Sequence, residues 1–150
     1  MTVFLRFISL FSIHIVLFLG FSFAFVTLGL FPYNYQLVEA DQNAIVLETR
    51  ILNQQTTIDF SGRELDKTSS ELMAAITNNF LTRLDRFLLF ISLSLAGSCT
   101  SIGSYILHKR KEKIVKKHYT FAIALFTVQL FLYGALYIYE VSKLHNFMNG

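Results

Sequence analysis

The 150-residue chain has no tryptophan, one proline and one cysteine. A lone thiol, Cys99, cannot close a disulfide within the chain, which excludes a disulfide scaffold and a paired-cysteine oxidoreductase. No Cys/His cluster has metal-ligand spacing and no glycine-rich phosphate loop occurs. Gly97-Ser98 lacks the Gly-x-Ser-x-Gly elbow and the orienting acid that a serine hydrolase requires. Of the four histidines only His14 falls inside an apolar run, so one copy cannot hold a haem between two facing ligands. No Asn-x-Ser/Thr acceptor is present, so glycosylation says nothing about compartment. Charge is also scarce: at 15% Asp, Glu, Lys and Arg, neither a disordered tail nor an ordinary soluble domain fits.

What is abundant is apolar. Hydrophobic residues make up 53% of the chain, 16 of them Phe, and the mean hydropathy is +0.49. They fall in long runs, and a span needs roughly 20 apolar residues to cross a hydrocarbon core ~30 Å thick. Three segments qualify: about Phe7 to Leu30, ended by Pro32; Phe87 to Leu107, bounded by Arg86 and His108; and Tyr119 to Tyr139, followed by Glu140. The expected fold is an all-α integral membrane protein. It has a short N-terminus and first transmembrane helix over 1–30, an extracytoplasmic segment over 31–86, a second span over 87–107, a basic loop over 108–118, a third span over 119–140 and a tail over 141–150.

The loop between the last two spans carries Lys109, Arg110, Lys111, Lys113, Lys116 and Lys117 against Glu112 alone. Short basic loops stay cytoplasmic, which sets the N-terminus inside and the C-terminus outside. The same residues are candidate contacts for anionic headgroups. Nucleic acid is excluded as a partner, because the loop is short, fixed to the membrane and without interleaved aromatics. Between the first two spans, eight acids stand against five bases. A competing reading makes the first run a signal peptide cleaved near Ser22-Phe23-Ala24, although the run is longer than an ordinary apolar signal core. No organellar transit peptide is supported, so a bacterial inner membrane and a eukaryotic plasma or secretory membrane both remain open.

The outer segment reads as a mainly helical hairpin. Ser61-Gly-Arg-Glu64 has the form of a capping box, and Leu65, Leu72, Ile76, Phe80 and Leu84 follow at helical spacing into the second span. Upstream, Leu37, Ala40, Ala44, Leu47 and Ile51 alternate spacings of three and four, as in a short coiled coil. The β-branched runs 45–51 and 56–60 favour a β-hairpin as the competing form.

Inside the spans, small residues mark helix contacts: Gly20 and Ala24 on the first, Ser94, Gly97, Ser98, Ser101 and Gly103 on the second, Gly134 on the third. His14, Thr100, Thr127 and Gln129 are the polar groups at membrane depth. They are candidates for a relay, or more plainly for interhelical hydrogen bonds. Glu140, beside Tyr137 and Tyr139, reads as an interfacial anchor, and Tyr33, Tyr35 and Tyr133 as an aromatic belt.

Span count and Phe/Ile/Lys-rich composition are similar to those of small bacteriocin-immunity proteins and of accessory subunits of membrane complexes. The small-residue helix faces, the acidic outer segment and the missing catalytic motifs point the same way, to a non-catalytic protein that binds lipid and either another integral membrane protein or further copies of itself. Its role would be that of a small subunit, an assembly factor or an immunity-type protector, with no cofactor, no metal and no catalytic residue. The alternative is an oligomeric transport or pore-forming protein lined by the Ser/Thr-rich second span.

Overall fold

The computed structural model describes residues 3–32, 34–40, 44–50, 54–59, 67–107 and 113–149. Helix α1 (Val3–Ser22) widens into a π-helical turn (Phe23–Thr27). Three strands follow, β1 (Tyr35–Ala40), β2 (Ala44–Thr49) and β3 (Gln55–Asp59), and then two long helices, α2 (Lys67–Leu107) and α3 (Lys113–Asn149). Three helical stretches, Ile8–Thr27, Glu71–Leu107 and Lys117–Phe147, are long and apolar enough to cross a membrane. The first and third keep their apolar side chains outward, as Val16, Phe121, Val128 and Phe131 illustrate. The second packs against both of the others.

The all-α expectation is corrected between the first two helices. In place of a helical hairpin stands an antiparallel meander, β1-β2-β3, with Leu37 opposite Leu47 and Ile45 opposite Ile58. The coiled-coil spacing and the strand alternation share Leu37 and Leu47, which is why the segment satisfies both patterns. The β-branched Ile45, Val46, Thr49, Thr56, Thr57 and Ile58 prefer the pleated form. Alternation buries Ile45 and Leu47 on one face of β2 and leaves Val46 half-buried on the other. The register shifts between Leu37 and Glu39, and Val38, at that bulge, is exposed.

Downstream the helical expectation fits: α2 runs without a break from Lys67 to the end of the second apolar run. The expected capping box at 61–64 lies outside the described residues. Ile45, Leu47 and Ile58 of the sheet, Leu81, Leu84, Leu88 and Ile91 of α2, and Tyr137 and Leu144 of α3 form one buried cluster. The core thus sits where sheet and helices meet. At ~25 cal/mol per Å² of apolar surface, such side chains each stabilise by about 1.5–3 kcal/mol when fully buried.

Candidate functional site

The first apolar helix must dispose of the carbonyls at its C-terminus, which have no intrahelical partners. Leu28 N donates to Phe23 O at 2.9 Å, the five-residue step of a π turn, and Leu30 N donates to Ala24 O at 3.0 Å. Gly29, at φ +68°, makes this reversal; a Cβ there would be strained and would collide with Arg50 Cβ. The next two carbonyls are taken by side chains from beyond the helix. Asn34 Nδ2 donates to Phe25 O at 2.6 Å, and Arg50 Nη1 donates to Val26 O.

Arg50 therefore works as a clamp. It leaves the end of β2, where its backbone N–H donates to Asn34 O at 3.0 Å. Its guanidinium caps α1 and lies 3.6 Å from Asp85 of α2, so one side chain joins sheet, first helix and second helix. Burial pushes the Asp85 carboxyl above its ordinary value, and Arg50 only partly offsets this. An oppositely charged neighbour alone would lower the carboxyl and suggest a strong pair. The raised carboxyl points the other way, and the 3.6 Å separation, longer than a charge-assisted hydrogen bond, agrees with it.

On the side of α3, Tyr137 reaches the same level: its hydroxyl donates to Pro32 O at 2.7 Å, and its ring meets Phe31 edge-on at 5.0 Å. Glu140 faces α2, 3.8 Å from Arg83, and is only 8% exposed. Its Oε2 is buried without a hydrogen-bond partner among the described residues.

Beside the clamp lies a groove of about 490 Å³ between β1 and the N-terminal half of α2. Tyr35, Gln36 and Leu37 form one wall and Ala74, Ala75, Asn78 and Thr82 the other, with Arg50 and Asp85 at one end. The two alanines give the α2 wall its space, while Asn78 and Thr82 are exposed and polar.

The small residues of the spans have mixed placements. Gly97 is buried where a Cβ would come within 2.5 Å of the Phe126 ring, so α3 approaches α2 at its backbone. Ser94 and Ser101 are buried; Ser98 is half-buried, its Oγ without a partner among the described residues. Gly20, Gly103 and Gly134 have open space where a Cβ would stand, so they make no close contact with a neighbouring helix of this chain. Ala24 is half-buried at the π turn, and Cys99 is exposed.

The polar groups at depth are used locally. Ser92, Ser94 and Thr100 donate to the carbonyls four residues back, at 2.8, 2.9 and 2.8 Å, the usual back-bonding of hydroxyls in an apolar helix. His14 lies beside Phe126, ring centroids 6.4 Å apart, while Thr127 and Gln129 are half-buried on α3. Tyr133 stacks on Phe90 at 4.8 Å. Of the basic loop, Lys109, Arg110 and Lys111 lie outside the described residues, Lys113 and Lys116 begin α3, and Lys117 is exposed. Among the described residues, no three His, Cys, Asp or Glu gather as a metal site.

Arg50, Asn34 and the groove were not singled out by the sequence pattern. One signal existed: Arg50 is the sole Lys or Arg between Phe31 and Gly62. An isolated cation in an otherwise acidic segment invites the question of what it pairs with. Comparison with protein-family models, with curated proteins and with solved structures finds no match.

Proposed function

We propose that this chain is a non-catalytic interaction protein of a membrane: a small subunit, assembly factor or immunity-type protector that binds a larger membrane protein through its spans and its outer sheet. The N-terminus and the 108–118 loop lie on the cytoplasmic side, and the sheet, the outer half of α2 and the C-terminus on the other. The observation that carries this reading is the clamped sheet. The sheet and the turn before it are tied to all three helices by Asn34 and Arg50 at the end of α1, Arg50 at Asp85 of α2 and Tyr137 of α3, forming a shaped platform with an open groove. Rigid, pre-formed surfaces lose little entropy on association, which favours partner binding. The helix faces turned outward from the bundle are covered by lipid or by the partner's own spans.

An oligomeric pore lined by α2 draws less support. Its Ser92, Ser94 and Ser101 are buried against neighbouring helices of the same chain, and the first two hydroxyls are engaged with backbone carbonyls. Native mass determination of the full-length protein in mild detergent tests the proposal. A foreign membrane protein held at fixed stoichiometry is expected. A homo-oligomer with no foreign partner overturns the reading and makes ion flux in liposomes the next measurement. Orientation is read separately: a membrane-impermeant lysine reagent is expected to leave Lys109 through Lys117 unlabelled in sealed cells, and labelling from outside reverses the topology.

A further inference from the structure

The groove has properties that select its occupant. It follows α2 from Ala74 to Asp85, eleven residues or about 16 Å at ~1.5 Å per residue. That length matches about five residues of extended chain at ~3.3 Å each. Its other wall is β1, an edge strand of the described sheet. Arg50 N donates to Asn34 O, so by antiparallel alternation Asn34 and Gln36 direct their backbone groups toward β2, and Leu37 directs its own toward the groove side.

The polar lining is equally specific. One cation and one anion, Arg50 and Asp85, line the groove, which therefore favours neither an anion nor a cation. Arg50 Nε is buried without a partner among the described residues, and the Asp85 carboxyl stands 3.6 Å from the guanidinium. The end of the groove thus holds a donor without a partner among those residues and, in the 35%-exposed Asp85 carboxylate, an acceptor with lone pairs left over beside its long ion pair. A peptide backbone supplies one donor and one acceptor per residue. A phospholipid headgroup would also offer both charges, but it would fill only the end near the second span and leave the alanine-walled length empty.

We propose that the groove between β1 and α2 binds an extended, uncharged peptide segment of a partner protein, laid beside β1 as a fourth strand with its backbone amides on Arg50 and Asp85. Strand addition of this kind draws affinity from main-chain hydrogen bonds and specificity from alternate side chains. The proposal rests on the interaction reading above and names the surface that reading uses.

The test takes the full-length protein in phosphatidylcholine nanodiscs, with a displayed library of random peptides as the probe. Selected peptides are expected to lose affinity roughly tenfold or more in Ala75→Trp, which fills the groove, and to bind Leu72→Trp unchanged, since Leu72 is exposed on α2 outside it. Bound peptide should also slow amide exchange at Leu37. Peptides that bind Ala75→Trp as tightly as the native chain overturn the proposal, as does a failure to select any. So does a tightly held phospholipid that is present on the native chain and lost in Ala75→Trp. A partner that co-purifies at fixed stoichiometry and survives Ala75→Trp leaves the interaction reading standing and removes the groove from it.

Discussion

Arg50→Met isolates what the clamp contributes, because methionine keeps most of the apolar stem and removes the guanidinium. Two losses follow. The Val26 carbonyl at the end of α1 loses its donor in a part-buried setting, and an orphaned buried carbonyl costs about 1–3 kcal/mol. Asp85 loses a partner at 3.6 Å, but the side chains are 22% and 35% exposed, so water screens the pair to about 0.5–1 kcal/mol. Together the substitution should destabilise by roughly 1.5–4 kcal/mol, with most of the cost in the carbonyl. Reversible unfolding in mixed micelles with increasing denaturing detergent measures this, and the cycle with Asp85→Asn divides it. If the clamp works as described, Asp85→Asn alone is nearly neutral and the coupling energy stays below about 1 kcal/mol. An Arg50→Met cost under about 0.5 kcal/mol, or a coupling that accounts for all of it, would refute the assignment of Arg50 as the cap of α1.

The remaining predictions concern single contacts. Gly29→Ala should cost about 1–2 kcal/mol from its positive φ, and more from the collision with Arg50 Cβ, read as a lower unfolding midpoint. Gly97→Ala should cost about 1–3 kcal/mol by forcing the Phe126 ring aside, whereas Gly20→Ala and Gly134→Ala, with nothing near the added methyl, should cost little; equal effects at the three would show that α2 and α3 do not meet at Gly97. Because burial holds the Asp85 carboxyl above its ordinary value, the folded chain binds that proton more tightly than the unfolded one. Stability from this group is therefore fully present below the ordinary carboxylate value and falls as pH rises through the raised value, and Asp85→Asn should flatten that part of a pH titration of the unfolding midpoint.

The helices were legible because the bilayer imposes a length and a polarity that few other environments demand. Charge did not mark where the second helix begins, since α2 starts at Lys67 and passes through Arg83, Asp85 and Arg86 without a break. The sheet was only half legible. Leu37 and Leu47 fit a heptad seam and a strand pair equally, and the decision fell to β-branched propensity, a weak signal until tertiary packing is known. The clamp was hidden for a different reason. Arg50 and Val26 are 24 residues apart, and their bond depends on how the sheet returns over the end of α1, which no local pattern encodes. The partner of Glu140 was hidden too: its neighbours Tyr137 and Tyr139 suggested an interface, and only the helix phase shows its carboxylate turned toward Arg83.

The unbroken course of α2 has a mechanical side. Its 41 residues make a rod of about 60 Å, roughly half of it beyond the ~30 Å hydrocarbon core. No proline or glycine lies between Lys67 and Ala96, so no kink-prone residue of that kind stands where the second apolar run begins. A tilt of about 10° in the C-terminal half therefore swings the far end of a ~30 Å arm by about 5 Å. One wall of the groove rides on that arm, while the other belongs to a sheet fastened to the end of α1. Arg50 and Asp85 stand where the two walls meet, so a change in the crossing of α1 and α2 would reach the groove through that contact and through the sheet residues packed on Leu81 and Leu84.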